Sequence, residues 1–158
     1  DHEKLNHENV NAWQEKIAFV SQDIFLTDES ILENITFSDN LKKINYEQIN
    51  KILKDVNLLD YVNELPNGIN SKVGERGSKL SGGQIQRLGI ARALYKEREV
   101  IILDEANNAL DKKNEKSIFD TLYRVKGLTL IVISHNEEII KNCDQVFSLS
   151  EGKLKNLR

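Results

Sequence analysis

The feature that most constrains this chain is a set of short apolar runs, each ending in polar residues. Ile17-Ala18-Phe19-Val20 leads into Ser21-Gln22, Val100-Ile101-Ile102-Leu103 into Asp104-Glu105, and Leu128–Ser134 into His135. Runs this short and continuous read as strands buried on both faces of a parallel sheet. Between them, apolar residues recur at helical spacing: Tyr46, Ile49, Ile52, Leu53 and Val56, then Ile118, Phe119, Leu122 and Val125. Strands alternating with helices imply right-handed crossovers and an α/β fold. A further helix is expected at 137–142 and a further strand at Gln145–Leu149, with Gly152 marking a turn. Residues 27–97 read as mostly helical and break the alternation. They are expected to form an inserted α-helical subdomain, leaving 1–26 and 98–158 as the sheet-bearing core. The polar residues 1–15 suggest only a turn or short strand.

Local signals place the helix ends. A short helix is expected at Ser30–Asn34, and Asn45 with Gln48 can form a capping box. A second short helix should end at Pro66, before an Asn67-Gly68 turn. Ser81 opens a helix reaching about Glu97, and Asp111 can cap the one that carries Ile118.

Composition excludes several classes. With 22 basic and 25 acidic residues the formal charge is −3, which argues against binding nucleic acid through bulk positive charge. One cysteine, Cys143, excludes an internal disulfide framework and is expected to pack rather than react. The apolar runs fall far short of the ~20 residues of a membrane span, and no signal peptide is visible. The chain opens on Asp1 and contains no methionine, so it reads as a piece of a longer polypeptide.

Four places carry candidate chemistry, each with a plainer reading beside it. Leu80-Ser81-Gly82-Gly83-Gln84 fits an ordinary helix start, with Ser81 and Gln84 as a capping box. That leaves Gly82 and Gly83 unexplained, since each costs about 1 kcal/mol against alanine inside a helix. Paired glycines beside free N–H groups also suit close approach of a phosphate. Asp104 and Glu105 end a strand at the C-terminal edge of a parallel sheet, where ligands bind in such folds. One acid can hold Mg²⁺ while the other polarises water, or both can simply begin a turn. His135 lies on the same edge and can donate to a phosphoryl group, or sit in a helix start capped by Ser134 and Glu137. Gln22 alone reads equally well as a solvated loop residue.

In order along the chain, these motifs resemble the ATP-binding cassette (ABC) ATPases, and the likeness covers nearly the whole sequence. Phe19-Val20-Ser21-Gln22-Asp23 is similar to the Q-loop. Leu80–Gln84, continued by Gln86-Arg87 and Ile90-Ala91-Arg92-Ala93-Leu94, is similar to the signature motif and its helix. Ile101–Glu105 resembles Walker B, Ala109-Leu110-Asp111 the D-loop, and Ser134-His135 the switch histidine. Leu65-Pro66-Asn67-Gly68 with Val73-Gly74-Glu75-Arg76-Gly77 resembles the segment before the signature in exporters.

The resemblance implies a P-loop NTPase, RecA-like core with ATP and Mg²⁺ as cofactors. Asp104 and Gln22 would serve the metal, Glu105 the attacking water and His135 the γ-phosphate. Ser81, Gly82, Gly83 and Gln84 would close over nucleotide held by the opposite subunit, and Asp111 would contact that subunit. The implied partners are a second nucleotide-binding domain, head to tail, and coupling helices of a transmembrane domain in the same polypeptide; nucleic acid is not expected. The location implied is the cytoplasmic face of a membrane. The alternatives are a non-catalytic interaction module, a soluble translation-associated cassette, or a chromosome-maintenance ATPase. The short stretch between Gln22 and Ser81 has no room for the coiled coil of the last.

The sequence departs from the family in lacking G-x-x-x-x-G-K-[ST], so the Walker A strand and loop are absent and this chain alone is expected to be inactive. Asn107-Asn108 replaces the common Thr-Ser of the D-loop. By resemblance, the missing strand would lie between Leu128–Ser134 and Gln145–Leu149. Both should therefore lack a partner on facing sides, with gap closure, pairing with another chain, or loss of order after about residue 140 as the expected outcomes.

Overall fold

The computed structural model describes residues 4–37, 44–105 and 112–158. Its first element departs from expectation: Val10–Gln14 is a helix, α1, that buries no side chain. Two asparagines organise its entry. Asn6 Oδ1 accepts from the Glu8 and Asn9 amides, and Asn9 Oδ1 accepts from the Asn6 amide. Side chains of this kind build turns from purely local bonds, which hydrophobic periodicity does not register.

Strand β1 (Ile17–Val20) pairs in parallel with β2 (Val100–Asp104), which pairs in parallel with β3 (Thr129–Ile133). The order β1-β2-β3 leaves the outer edges of β1 and β3 without a ladder partner among the described residues. The α/β parallel sheet is as expected. Burial on both faces is not. Ala18, Val20, Ile101 and Leu103 are buried, but Phe19 is 59% exposed, Ile131 48% and Ile133 50%. Phe19, Ile102 and Ile131 share one row across the three strands, so this face is apolar and uncovered among the described residues.

Between β1 and β2 every element is helical. Helices α2 (Ile31–Thr36), α3 (Tyr46–Asp55) and α4 (Leu59–Glu64) are followed by two short 3-10 turns, Gly68–Asn70 and Glu75–Gly77, and then by α5 (Gly82–Tyr95). Ser30 caps α2 with a reciprocal box to Glu33, and Ser81 caps α5 in the same way with Gln84. At α3 the expected box is only half made. Asn45 accepts from the Glu47 and Gln48 amides, but the Gln48 side chain donates instead to Glu97 Oε1 at 2.9 Å. The apolar faces of these helices are continuous with the sheet: Ile35, Ile49, Leu53, Leu88 and Ile101 belong to one buried cluster.

Helix α6 (Lys112–Arg124) follows β2 and buries Ile118, Phe119 and Leu122. Val125, expected on that face, lies beyond the helix end and is 42% exposed. Asp111, the expected cap, lies outside the described residues, as does the whole D-loop. Helix α7 (Glu137–Lys141) is capped by Asn136 rather than Ser134: Asn136 Oδ1 accepts from the Glu138 amide at 2.9 Å.

The final strand also departs from the parallel pattern. β4 (Phe147–Ser150) forms an antiparallel hairpin with β5 (Lys153–Asn156) and does not join the sheet. Glu151 and Gly152, both with positive φ, make a two-residue turn matched to the twist of the strands. A cleft of about 640 Å³ separates β3 from β4, lined by Leu128, Leu130, Val132, Cys143, Gln145 and Phe147. The seam expected here is therefore open. The gap is not closed within this chain: the β3 edge faces the cleft, and β4 finds its partner in its own hairpin.

Candidate functional site

In a parallel sheet all strands end on one side, so β1, β2 and β3 deliver their following residues to a common edge. Val20 is level with Leu103, and Asp104 with Ile133. Gln22, Asp104, Glu105 and His135 therefore gather on the same edge, although 113 positions separate the first from the last (135 − 22). Glu105 and His135 meet there: Glu105 Oε1 lies 3.3 Å from His135 Nε2. Glu105 is the sheltered partner, its side chain 26% exposed against 93% for His135.

The backbone fixes this acid firmly. The Glu105 amide donates to the Ile133 carbonyl at 3.0 Å, extending the β2–β3 ladder one residue beyond Asp104. Its φ is +48°, a left-handed conformation that costs a non-glycine residue of order 1 kcal/mol. Strain of this kind persists only where surrounding contacts hold it, and it concentrates at functional positions.

His135 is positioned by residues that sequence reasoning missed. The neighbouring Asn136 donates its amide to Ser134 Oγ at 3.0 Å and its side-chain Nδ2 to Glu115 Oε2 at 2.8 Å. Glu115 is a nearly buried acid on α6. Asn136 had a readable signal, since asparagine two residues before Glu138 is a good cap. Glu115 had none, because its bond joins residues 21 apart.

Ser81, Gly82, Gly83 and Gln84 form a separate group at the N-terminus of α5. Ser81 Oγ accepts from the Gln84 amide at 3.3 Å, and the Ser81 amide donates to Gln84 Oε1 at 2.8 Å. The capping reading is thus correct for Ser81 and Gln84. Ser81 and Gly82 are nonetheless exposed, and a helix N-terminus open to solvent suits an anion supplied from outside.

Among the described residues no three His, Cys, Asp or Glu side chains form a metal-holding group. The donors that the topology delivers to this edge include the Asp104 carboxylate and the Gln22 side-chain amide. That set suits Mg²⁺, which is usually held by one or two carboxylates together with substrate phosphates and water.

The ABC transporter family model matches residues 1–108. An ATP-dependent lipid A-core flippase of Xylella fastidiosa is 42% identical over 140 residues, covering 88% of this chain and 24% of the relative. A flippase of the same name from Bordetella avium is 39% identical, covering 95% and 25%. Multidrug resistance protein 1 of Entamoeba histolytica is 40% identical, covering 92% and 11%. The structure of a bacterial Atm1-family ABC exporter with ATP bound superposes with a TM-score of 0.84 at 33% identity, covering 92% of this chain and 25% of that one. The chain spans about a quarter of the length of the flippases it matches. Motifs, sheet edge and relatives agree, and the chain belongs to the ABC transporter family.

Proposed function

We propose that this chain is the C-terminal part of the nucleotide-binding domain of an ABC exporter, coupling ATP binding and hydrolysis to transport across a membrane. The observation that carries the proposal is the Glu105–His135 contact beside Asp104 on the C-terminal edge of a parallel sheet. In this reading residues 27–97 act as the signature-bearing helical subdomain, and 1–26 with 98–158 as the partial core.

ATP supplies the phosphoryl group whose transfer to water drives the cycle. Asp104 would hold Mg²⁺, and Gln22 would link that metal to the transmembrane partner. Glu105 accepts a proton from the attacking water, and its strained, ladder-anchored backbone keeps the carboxylate in one place. His135 faces the γ-phosphate, and its contact with Glu105 restrains the ring. Ser81, Gly82, Gly83 and Gln84 present amides and a helix dipole to nucleotide held by a second, head-to-tail cassette. Asp111 contacts that same cassette. The domain lies at the cytoplasmic face, docked to coupling helices encoded in the same polypeptide.

Glu105→Gln in the complete protein tests this. It removes the base but keeps the shape, so ATP binding persists while turnover falls at least about 100-fold, the scale of a positioned general base. Wild-type turnover in that variant would remove Glu105 from the mechanism. The isolated 158-residue chain, with no phosphate loop, turns over no ATP; activity there that depends on Glu105 would show that the phosphate site lies elsewhere.

A further inference from the structure

Helix α5 grips the segment that follows Gln22 at consecutive residues. Gly89 lies so close to Ile24 that a Cβ there would stand 2.5 Å from Ile24 Cδ1. Three residues on, Arg92 Nη1 donates to the Phe25 carbonyl at 3.1 Å, and Nε donates to the Asn34 carbonyl at 2.8 Å. The guanidinium also sits 4.1 Å from the centre of the Phe37 ring. Leu26 is held by the turn before the signature, where a Cβ on Gly77 would come within 2.8 Å of its Cδ1.

Gly89 and Arg92 are three apart and so share a face of α5. The same helix begins at Ser81, about 16 Å away at 1.5 Å per residue. Burial lowers the Arg92 pKa to about 10, so the group stays cationic at neutral pH. A half-buried cation still needs partners for its N–H groups and charge, and here two main-chain carbonyls and an aromatic face supply them. Lysine carries the charge but lacks the planar fork that reaches both carbonyls at once.

We propose that Gly89 and Arg92 are positioning residues that lock the segment carrying Gln22 to the helix carrying Ser81–Gln84, so that the Gln22 segment of this cassette's own site moves as one body with the signature it offers to the opposite cassette's nucleotide. The proposal rests on the exporter reading for the roles of Gln22 and Ser81, but the lock itself is a property of this chain's own contacts. Without it, Gln22 drifts while the signature still engages. The chemical step then suffers more than nucleotide affinity does.

The test uses the full-length protein that carries this chain, with Arg92→Met, Arg92→Lys and Gly89→Ala. Hydrogen exchange is read over residues 23–37, where the Thr27, Asn34 and Phe37 amides are hydrogen-bonded, and over β2 and β3 as reference. Arg92→Met should speed exchange at 23–37 about ten-fold with the reference strands little changed, as for a local opening. It should also lower kcat about ten-fold at nearly constant KM for ATP, the scale of a small misplacement at a reacting centre. Arg92→Lys should recover part of both effects, and Gly89→Ala should repeat them more weakly. Unchanged exchange at 23–37 overturns the lock. So does equal loosening of β2 and β3, which would make Arg92 a general stabiliser, and so does an undiminished kcat. A wild-type protein that turns over no ATP sinks the exporter reading instead, and the exchange data then decide the lock by themselves.

Discussion

The knot around Asn34 and the seam at β3 show opposite ways of treating backbone polar groups. Asn34 is fully buried, yet its Nδ2 donates to the Thr27 and Ser30 carbonyls and its Oδ1 accepts from the Thr27 amide. Arg92 then takes up the Asn34 carbonyl near the end of α2, where helices leave acceptors unmet. Among the described residues β3 pairs only with β2, and its other edge faces the cleft toward β4. Helices close most of their hydrogen bonds among near neighbours in sequence, whereas a parallel strand depends on segments far away in the chain. Among the described residues the helical region therefore meets its polar groups locally, and the outer edge of β3 does not.

Paired truncations should expose this difference most strongly. Ile35→Ala, deep in the helical cluster, should destabilise by about 2–5 kcal/mol, the usual range for emptying a packed site. Ile131→Ala on the uncovered sheet face should cost under about 0.5 kcal/mol, as surface changes do. Denaturant melts of the two variants compare them directly. Similar losses would mean that the sheet face is covered after all.

A smaller effect is expected from the knot itself. Asn34→Ala leaves the Thr27 amide and nearby carbonyls without their partner, at about 1–3 kcal/mol for a buried group left unmet. The change should appear as faster exchange at Thr27 and in α2, with β2 unaffected. If β2 loosens equally, the knot is not a local device.

The smallest effect lies at the start of α2. Hydrogen bonds from the Ser30 hydroxyl and amide hold the Glu33 carboxyl below its ordinary pKa. A depressed folded-state pKa gives stability that is present above the unfolded value and lost as pH falls through the folded one. Acidification below about pH 4.5 should therefore fray α2 before α3, and Ser30→Ala should flatten that dependence. Amide shifts of Ile31–Thr36 followed through an acid titration would show it, and a pH-independent α2 would refute it.

Much of the site was legible because its residues stand at strand and helix ends. Apolar runs ending in Gln22, Asp104-Glu105 and His135 place those groups on one edge as soon as the strands are parallel. Ser81 and Gln84 announce their cap through a three-residue spacing. The β4–β5 hairpin was not read, although Glu151-Gly152 separates two short runs with apolar Leu149 and Leu154. Only the family resemblance sets the Gln145–Leu149 strand beside the parallel sheet, whereas its actual partner lies just past the turn. Helix α1 escaped because it has no apolar stripe.

The sequence by itself determined the order of strands and helices, the capped start at Ser81 and the gathering of Gln22, Asp104, Glu105 and His135 on one edge. These follow from periodicity and local hydrogen bonding, which act over a few residues. Only the tertiary structure decided which sheet face is bare, that β4 stays apart from the sheet, and that Arg92 reaches Phe25 and Asn34. The β4–β5 turn is local, and only its separation from the sheet is a tertiary outcome. The Arg92 contacts join positions 58 and 67 apart through main-chain carbonyls, and a carbonyl looks the same at every residue of a sequence.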